Sequence, residues 1–307
     1  MIMNNIFKSV IIAFFITVGT TFAVSQDQLS QYVYEDTKQL VSLVEDAASQ
    51  IEIKGENAFK DFSVKDSRWL NDKYYLFAYD ITGKCVFHPI EPSLVGKDLS
   101  GFRDIENRLV VKMITDVGRD DRRDNNGWVF YLWEEPWHSF PKWKSSYIRK
   151  AVAPDKKVYL IGCGLYDMKT EKTFISQQVD KAADLMIRDG IQSVTKILKD
   201  RSCDLHFMDS YISVADSKGI LVVDPSFPSV NVRRNLLDMV DKTGINVGEE
   251  IKNALMTKDR VWISYIWPKA DANSLARKLV YVRKVRSENV DYYISMDFYP
   301  ATPIWMK

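Results

Sequence analysis

The sequence predicts an α+β fold of two similar modules, each with a long leading helix and a five-stranded antiparallel sheet. Two observations carry this prediction. The chain contains a long internal repeat, and each copy begins with a helical pattern and ends in strand-like aromatic segments. The most distinctive repeated residues are three aromatics, Trp128, Tyr131 and Trp133, and their counterparts Trp262, Tyr265 and Trp267, which lie 134 residues further on (262 minus 128).

The repeat extends over most of the chain at nearly the same offset. Further matched pairs are Lys144 with Lys278, Tyr147 with Tyr281, Tyr166 with Tyr299, Tyr75 with Tyr211 and Gly55 with Gly190. A period of this length is the size of a domain and is too long for a solenoid. We therefore predict a tandem duplication, with a first module over residues 24–169 and a second module over residues 170–307.

The N-terminus has the pattern of a signal peptide. Lys8 precedes an apolar run from Val10 to Val18, and small residues lead to Ala23. The run is shorter than the ~20 residues that span a bilayer. We expect residues 1–23 to be removed on export to the periplasm or beyond, and the alternative is an uncleaved anchor that holds the protein at the membrane.

The elements of the first module follow from the residue patterns in order. A leading helix is predicted over residues 27–62, where apolar residues recur at spacings of three and four. Residues 104–117 predict a shorter helix. The predicted strands are Tyr75–Tyr79 and Cys85–Phe87 around an Asp-x-x-Gly turn, and then Trp128–Trp133, Tyr147–Val152 and Val158–Tyr166, which are separated by turn residues.

The second module repeats this order. Residues 171–200 predict its leading helix, and the same succession of strands, helix and strands returns from residue 207 onward. Because neighbouring strands are joined by short turns, each module is expected to fold into an antiparallel sheet.

Charge, cysteines and motifs argue against several functions. Without residues 1–23 the chain loses only Lys8, so it carries 41 basic and 41 acidic residues and no global field to attract nucleic acid. The chain has three cysteines, Cys85, Cys163 and Cys203. This number is small and odd, so it cannot form a full disulfide framework and favours buried free thiols. No paired-histidine zinc spacing, phosphate loop or serine–base pair is present, so we predict no catalytic residues, metal or cofactor.

Several motifs together resemble the Cache family of extracytoplasmic ligand-binding modules in its double form. They are the Tyr75 strand with its Asp80-x-x-Gly83 turn, His88-Pro89 followed by Leu94-Val95-Gly96-Lys97-Asp98, the Trp128–Pro136 segment, and Lys144 through Ile161–Tyr166. The resemblance covers roughly residues 27–300. It implies PAS-like sheets, a small ligand held on one sheet face, and a sensory role.

A candidate ligand site follows from strand alternation. We predict that aromatic side chains of the first module share a sheet face, with Lys144 reaching over them from the edge of its strand. Flat aromatic walls, hydroxyl donors and one cation suit a small carboxylate. The predicted ligand-binding residues are Tyr131, Trp133, Lys144, Tyr147 and Tyr166, and the competing interpretation is that these aromatics are ordinary core.

The second module differs at one position, where Asp297 stands in the place of Gly164. Glycine is expected to leave room for a ligand, whereas Asp297 is expected to pair with Lys278 and fill the site. The alternative is that Asp297 receives the ammonium group of an amine ligand. The possible second site comprises Tyr265, Trp267, Lys278, Tyr281, Asp297 and Tyr299.

These patterns together predict an exported small-molecule-binding protein that captures a small organic acid and presents it to a membrane receptor, kinase or transporter. The alternatives are a structural or interaction domain that binds no ligand, and a sensor ectodomain anchored by its N-terminus.

Overall fold

The computed structural model of the protein describes residues 26–120, 125–136, 140–200, 202–223, 235–268 and 274–301. The predicted signal peptide, residues 1–23, lies outside these ranges. None of the helices within them combines the length and the apolar character that a membrane crossing requires.

Two five-stranded antiparallel sheets form the framework, and both were predicted. The first sheet has the strand order β2-β1-β5-β4-β3 and contains β1 (Leu76–Asp80), β2 (Cys85–Phe87), β3 (Asn126–Glu134), β4 (Pro141–Val152) and β5 (Val158–Tyr166). The second has the order β7-β6-β10-β9-β8 and contains β6 (Ile212–Asp216), β7 (Leu221–Val223), β8 (Arg260–Pro268), β9 (Leu275–Ser287) and β10 (Val290–Phe298). The α+β fold class is confirmed.

The helices of the described ranges are α1 (Gln26–Ser30), α2 (Glu35–Lys54), α3 (Ala58–Phe62), α4 (Val110–Arg119), α5 (Lys172–Lys199) and α6 (Val247–Ala254). The prediction of one continuous helix over 27–62 is wrong. The Glu171 carboxylate accepts hydrogen bonds from the N–H groups of Val33 and Tyr34, both at 2.9 Å, and this holds the backbone out of helical pairing between α1 and α2.

The repeated glycines end or bend the leading helices. Gly55 follows α2 with φ = 58°, and Gly190 lies inside α5 with φ = 77°. Both values belong to the left-handed region, which glycine enters without a Cβ penalty. The α5 helix therefore matches the predicted range of 171–200 but is kinked where α2 ends in the first copy.

The predicted helix at 104–117 begins later than expected. Its first residues form a loop, because Asp104 Oδ1 accepts hydrogen bonds from the N–H groups of Glu106 (3.0 Å) and Arg108 (2.9 Å). Ile105, counted in the sequence as part of the apolar side, is 71% exposed. The helix α4 starts only at Val110.

Each sheet packs one face against its leading helix, and we call this the helix face. A matched ion pair fixes each helix to its sheet: Glu45 Oε2 lies 3.0 Å from Arg149 Nε, and Asp180 Oδ1 lies 3.0 Å from Arg283 Nη1. The other face of the first sheet, the outer face, is covered by α4 through residues such as Val117. The outer face contains the candidate site.

Aromatic side chains join the two copies. Phe130 of β3 stacks on Phe207 at 4.1 Å between ring centroids, and Trp128 contacts Phe174 of α5 at 4.5 Å. One continuous apolar core therefore runs from α2 through the first sheet to α5 and the second sheet.

Candidate functional site

The outer face of the first sheet brings three predicted residues into one row. In the sheet register, Tyr131 of β3 lies opposite Lys144 of β4, which lies opposite Tyr166 of β5. Ser146 and Gly164 form the next opposed pair. Because alternate residues of a strand share a face, all five are on the same side of the sheet.

Lys144 is the centre of this row, and only 1% of it is exposed. Its Nζ donates a hydrogen bond to Tyr75 Oη and lies 4.0 Å from the Tyr75 ring centroid and 5.1 Å from that of Tyr166. Burial lowers the pKa of Lys144 to about 7. Among the described residues, no carboxylate forms an ion pair with this amine.

Hydroxyl groups surround the lysine. Tyr75 Oη and Tyr166 Oη lie 3.2 Å apart, and Tyr166 Oη donates to the Glu134 carbonyl at 2.8 Å. Tyr131 Oη and Ser146 Oγ form a second pair at 2.9 Å. We call Tyr75, Tyr131, Lys144, Ser146 and Tyr166 the Lys144 site. It offers one amine and four hydroxyls, which together can hold a small anion.

The neighbouring histidine is held neutral. His88 is buried against the Tyr75 ring, with 5.5 Å between ring centroids, and its Nδ1 accepts a hydrogen bond from the Glu91 N–H at 2.9 Å. Burial, together with the nearby Lys144 charge, lowers the pKa of His88 to about 3. The imidazole therefore adds no cation to the site near neutral pH.

Two geometric predictions about this face are wrong. Tyr147 lies on the helix face, where it pairs with Trp128 and donates a hydrogen bond to Glu45 Oε1 at 2.6 Å. The three-residue step from Lys144 to Tyr147 places them on opposite faces. Lys144 is also not at a strand edge, because β4 begins at Pro141 rather than at Tyr147.

Trp133 shares the outer face with Tyr131, as predicted, but it is only partly buried. Its ring contacts those of Tyr131 at 5.8 Å and Phe102 at 5.1 Å. It therefore stands at the border of the Lys144 site, between the sheet and the loop that precedes α4.

Gly164 does not leave the open space for a ligand that was expected from the sequence. A Cβ at this position would collide with Ser146 Oγ and would come within 2.8 Å of Lys144 Cε. The space beside the glycine is thus occupied by the stem of Lys144 and by Ser146. The missing side chain lets the lysine lie flat across β5 instead of leaving an open volume for a ligand.

Tyr75 and Ser146 belong to the site but were not predicted from the sequence. Tyr75 belonged to the repeat, with Tyr211 as its counterpart, but nothing in the sequence places it opposite Lys144. Ser146 follows Lys144 by two residues, so alternation alone was sufficient to put it on the same face.

The second sheet contains the corresponding row with an internal counter-ion. Lys278 Nζ lies 2.8 Å from Asp297 Oδ1, the ion pair that the sequence predicted, and Tyr265 Oη donates to Asp297 Oδ2 at 3.2 Å. Tyr299 Oη donates to the Pro268 carbonyl at 2.5 Å, and Trp267 contacts the Tyr265 ring at 5.9 Å.

The prediction that Tyr281 belongs to the second site is wrong for the same reason as the prediction for Tyr147. It faces the other side of the sheet, where its ring contacts Trp262 at 5.0 Å. The second row therefore consists of Tyr265, Trp267, Lys278, Asp297 and Tyr299.

The described part of the chain contains neither a metal-binding cluster nor a disulfide bond. Its histidines, cysteines and acidic residues form no group of three or more that can hold a metal ion. All three cysteines are free thiols, with Cys85 and Cys163 buried and Cys203 partly buried.

A family model described as the Cache domain matches residues 20–301. The chain belongs to the Cache domain family. Cache domains are extracytoplasmic sensor domains that typically bind small ligands in chemoreceptors, and their known role is sensory rather than catalytic. In this Cache protein the residues of the Lys144 site line the sheet face opposite the leading helix.

Solved structures show partial similarity to this Cache protein. The periplasmic sensor domain of a chemotaxis protein is 25% identical, with a TM-score of 0.34, and the alignment covers 47% of this chain and 95% of that chain. A Cache chemosensory domain described for carboxylic acid recognition is 21% identical, with a TM-score of 0.36, and 47% and 100% of the chains are covered. The periplasmic sensory domain of a Campylobacter jejuni chemoreceptor is 10% identical, with a TM-score of 0.28 and coverage of 91% and 95%.

Proposed function

We propose that this Cache protein is an exported sensor whose first sheet holds a small carboxylate at the Lys144 site and presents it to a membrane receptor, kinase or transporter. One observation carries the proposal. Lys144 is buried in a ring of hydroxyl groups, and no carboxylate of the described residues neutralises its amine. A buried ammonium group is costly without a counter-ion, so an incoming carboxylate gains most where none is present.

The contrast between the two sheets supports the choice of the first. Lys278 already has Asp297 as its counter-ion at 2.8 Å, and Tyr265 satisfies the second carboxylate oxygen. A ligand carboxylate there has to compete with a group that is already in place. The Lys144 site has no such competitor among the described residues, and the hydroxyl groups of Tyr75, Tyr131 and Ser146 can donate to the oxygens of a ligand.

Replacing the lysines separately tests this assignment. Lys144→Met keeps the volume of the stem but removes the charge-assisted hydrogen bond. We expect it to weaken binding by about 1.5–3 kcal/mol, or about ten- to a hundredfold. Lys278→Met is the matched control and is expected to leave affinity nearly unchanged. Short carboxylates such as acetate, lactate and succinate are first screened by thermal shift, because a bound ligand raises Tm by mass action, and hits are measured by titration calorimetry.

The outcomes separate the alternatives. If Lys278→Met abolishes binding and Lys144→Met does not, the ligand site is in the second sheet. If amines rather than carboxylates raise Tm, and Asp297→Asn removes that effect, Asp297 receives an ammonium ligand. If no short acid or amine shifts Tm, the alternative of a structural or interaction domain is favoured.

Lys278→Met is also expected to lower the free energy of unfolding, by about 1–2 kcal/mol, because it leaves the partly buried Asp297 without its cation. Urea unfolding of Lys278→Met and of the double variant Lys278→Met/Asp297→Asn measures this. The double variant is expected to recover part of the loss. No change in either variant would mean that solvent compensates Asp297 fully.

A further inference from the structure

Lys144 has the surroundings of a nucleophilic amine as well as those of a cation. Its side chain is buried, and no carboxylate of the described residues forms an ion pair with it. Burial lowers its pKa to about 7, so a large share of the protein carries the neutral amine, with a free electron pair, near neutral pH. Removing a lysine from water in this way is one means by which proteins activate it for attack on a carbonyl group.

Aromatic rings and a glycine fix the position of the Lys144 amine. Its Nζ lies 4.0 Å from the ring centroid of Tyr75, 5.1 Å from that of Tyr166 and 5.5 Å from that of Phe77. The stem lies across Gly164, where a Cβ would come within 2.8 Å of Lys144 Cε. The amine is therefore confined to one place, between apolar walls that suit a ligand with a small alkyl group.

One hydroxyl group is in position to move a proton at this nitrogen. Lys144 Nζ is hydrogen-bonded to Tyr75 Oη, which in turn lies 3.2 Å from Tyr166 Oη. A tyrosine hydroxyl both donates and accepts hydrogen bonds, so Tyr75 can take a proton from the nitrogen and give one to an oxygen bound beside it. Tyr131 Oη and Ser146 Oγ supply a second pair of hydroxyls on the same face. The site thus combines a nucleophile, a proton relay and donors for a carboxylate.

Solvent comes close to the site on the side of Tyr166. Tyr166 and Trp133 are only partly buried, and the Tyr166 hydroxyl donates to the carbonyl of the exposed Glu134. A small ligand can approach the amine here when the Tyr166 side chain turns away from Glu134. The amine is therefore buried without being enclosed deep in the core.

We propose that Lys144 forms a reversible imine with a small α-keto carboxylate, so that the ligand of the first sheet is held by a covalent bond as well as by hydrogen bonds. This inference rests on the proposed function, because the carboxylate of the α-keto acid uses the same hydroxyl groups as any other small acid at the Lys144 site. The keto group is what distinguishes the α-keto acid from the other acids.

The Lys144 Nζ electron pair attacks the carbonyl carbon, and a C–N bond forms as the π bond of the carbonyl group breaks. The proton that the nitrogen loses passes through Tyr75 to the carbonyl oxygen, which gives a carbinolamine. The hydroxyl group of this intermediate takes up one proton from solvent and leaves as water, and the product is a protonated imine.

The charge of the product favours an acid over a simple ketone. The positive imine nitrogen lies next to the ligand's own negative carboxylate, so the buried adduct is neutral overall. Burying such a pair costs less than burying a lone cation, which is what a ketone without a carboxylate leaves at the site.

The test traps the imine in the full exported chain. The protein is incubated at pH 7 with millimolar pyruvate and sodium cyanoborohydride, which reduces an imine to a stable secondary amine. Peptide mass spectrometry is expected to find a carboxyethyl group on Lys144, at about tenfold or more the level on any other lysine, because ordinary lysines are almost fully protonated at this pH. Lys278 is the internal control, since its Nζ lies 2.8 Å from Asp297 Oδ1 and an ammonium group has no electron pair for attack.

Matched ligands and variants make the result specific. Acetone has the keto group without the carboxylate and is expected to label Lys144 about tenfold less than pyruvate. Excess lactate, which has the carboxylate without the keto group, is expected to protect Lys144 from pyruvate. Lys144→Met is expected to lose the label, and Lys278→Met is expected to keep it.

The inference is overturned if pyruvate labels Lys144 no more than the exposed lysines, or if acetone labels it equally well. Calorimetry with lactate then shows which claim has failed. If lactate binds and Lys144→Met weakens it, the carboxylate site stands and only the covalent step is wrong. If no acid binds, the proposed function fails together with the imine.

Discussion

Raising the pH from 7 to 9 is expected to weaken carboxylate binding at the Lys144 site about fiftyfold. Burial lowers the pKa of Lys144 to about 7, so the amine of the ligand-free protein loses its proton over this range. Only the ammonium form makes the charge-assisted bond to a carboxylate. The protonated fraction falls from about one half at pH 7 to about one hundredth at pH 9, and the affinity falls with it, because binding has to take up one proton.

The neighbouring tyrosine, cysteine and histidine side chains are not expected to change their charge between pH 7 and pH 9. Burial raises the pKa of Tyr166 to about 12, and it raises those of Tyr75 and Tyr131 well above the ordinary value. Burial also raises the pKa of the Cys163 thiol to about 11, and His88 stays neutral. Glu91 is the carboxylate whose charge acts on Lys144 in favour of its protonated form.

Titration calorimetry at pH 7, 8 and 9, in two buffers with different ionisation enthalpies, measures both the affinity and the proton uptake. The uptake is expected to approach one proton per ligand at pH 9. An affinity that stays constant over this range would show that Lys144 remains charged without a ligand. Failure of this result alone leaves the carboxylate site standing, since Lys144→Met tests the site independently.

The same titration affects stability with a definite sign. The pKa of Lys144 is lower in the folded protein than in the unfolded chain, so the unfolded chain binds more protons between pH 7 and about pH 10. The free energy of unfolding of the ligand-free protein therefore rises with pH in this window, by on the order of 2 kcal/mol from pH 7 to pH 9. Urea unfolding measures the rise, and Lys144→Met is expected to remove it.

The architecture could be predicted from the sequence because the same pattern of residues occurs twice in the chain. Offsets that agree within three residues over aromatic, basic and glycine positions indicate the same succession of helices and strands along each copy, although not which strands pair. The repeat pairs Gly55 with Gly190, and both adopt positive φ where a leading helix ends or bends.

The candidate site was harder to predict, since it depends on strand starts and on contacts between distant residues. The sequence prediction started β4 at Tyr147 instead of Pro141, so it did not show which residues lie opposite Lys144. Tyr147 and Tyr281, three residues after the two lysines, were therefore assigned to the wrong sheet face. Tyr75 is 69 residues from Lys144, and only the pairing of β1 with β5 brings them together. Sequence periodicity has no information on which strands become neighbours.

The late start of α4 identifies the residue whose loss is expected to destabilise the protein most. Asp104, whose side chain is fully buried, accepts hydrogen bonds from the N–H groups of Glu106, Arg108 and Leu132, at 2.9–3.0 Å. Arg108 Nη1 lies 3.2 Å from Asp104 Oδ2, and its guanidinium group lies over the Trp143 ring. One carboxylate thus fixes the loop before α4 to the edge of β3, next to Tyr131.

The second copy builds the same loop without the arginine. Asp241 accepts from the N–H groups of Thr243 (2.7 Å), Ile245 (3.0 Å) and Ile266 (2.9 Å), and Ile245 stands where the first copy has Arg108. The Ile266 N–H, with the Thr243 hydroxyl and the other backbone donors, holds the pKa of Asp241 well below its usual range. The backbone donors and the Thr243 hydroxyl are therefore enough to keep the buried Asp241 charged without an arginine.

Asp104→Ala is accordingly expected to cost about 3–5 kcal/mol of unfolding free energy, because it frees three backbone donors and leaves the buried Arg108 with only the half-exposed Glu106 as its anion. Arg108→Ile copies the second module and is expected to cost far less, since Asp104 keeps its backbone partners. Urea unfolding followed by circular dichroism at pH 7 compares the two variants with the double variant, which is expected to be more stable than Asp104→Ala alone. Equal losses for Asp104→Ala and Arg108→Ile would mean that the ion pair, rather than the backbone bonds, holds the loop. A selective loss in Asp104→Ala would instead show that the chain supports its ligand face by the same aspartate cap in both copies, with the arginine as an addition in the first.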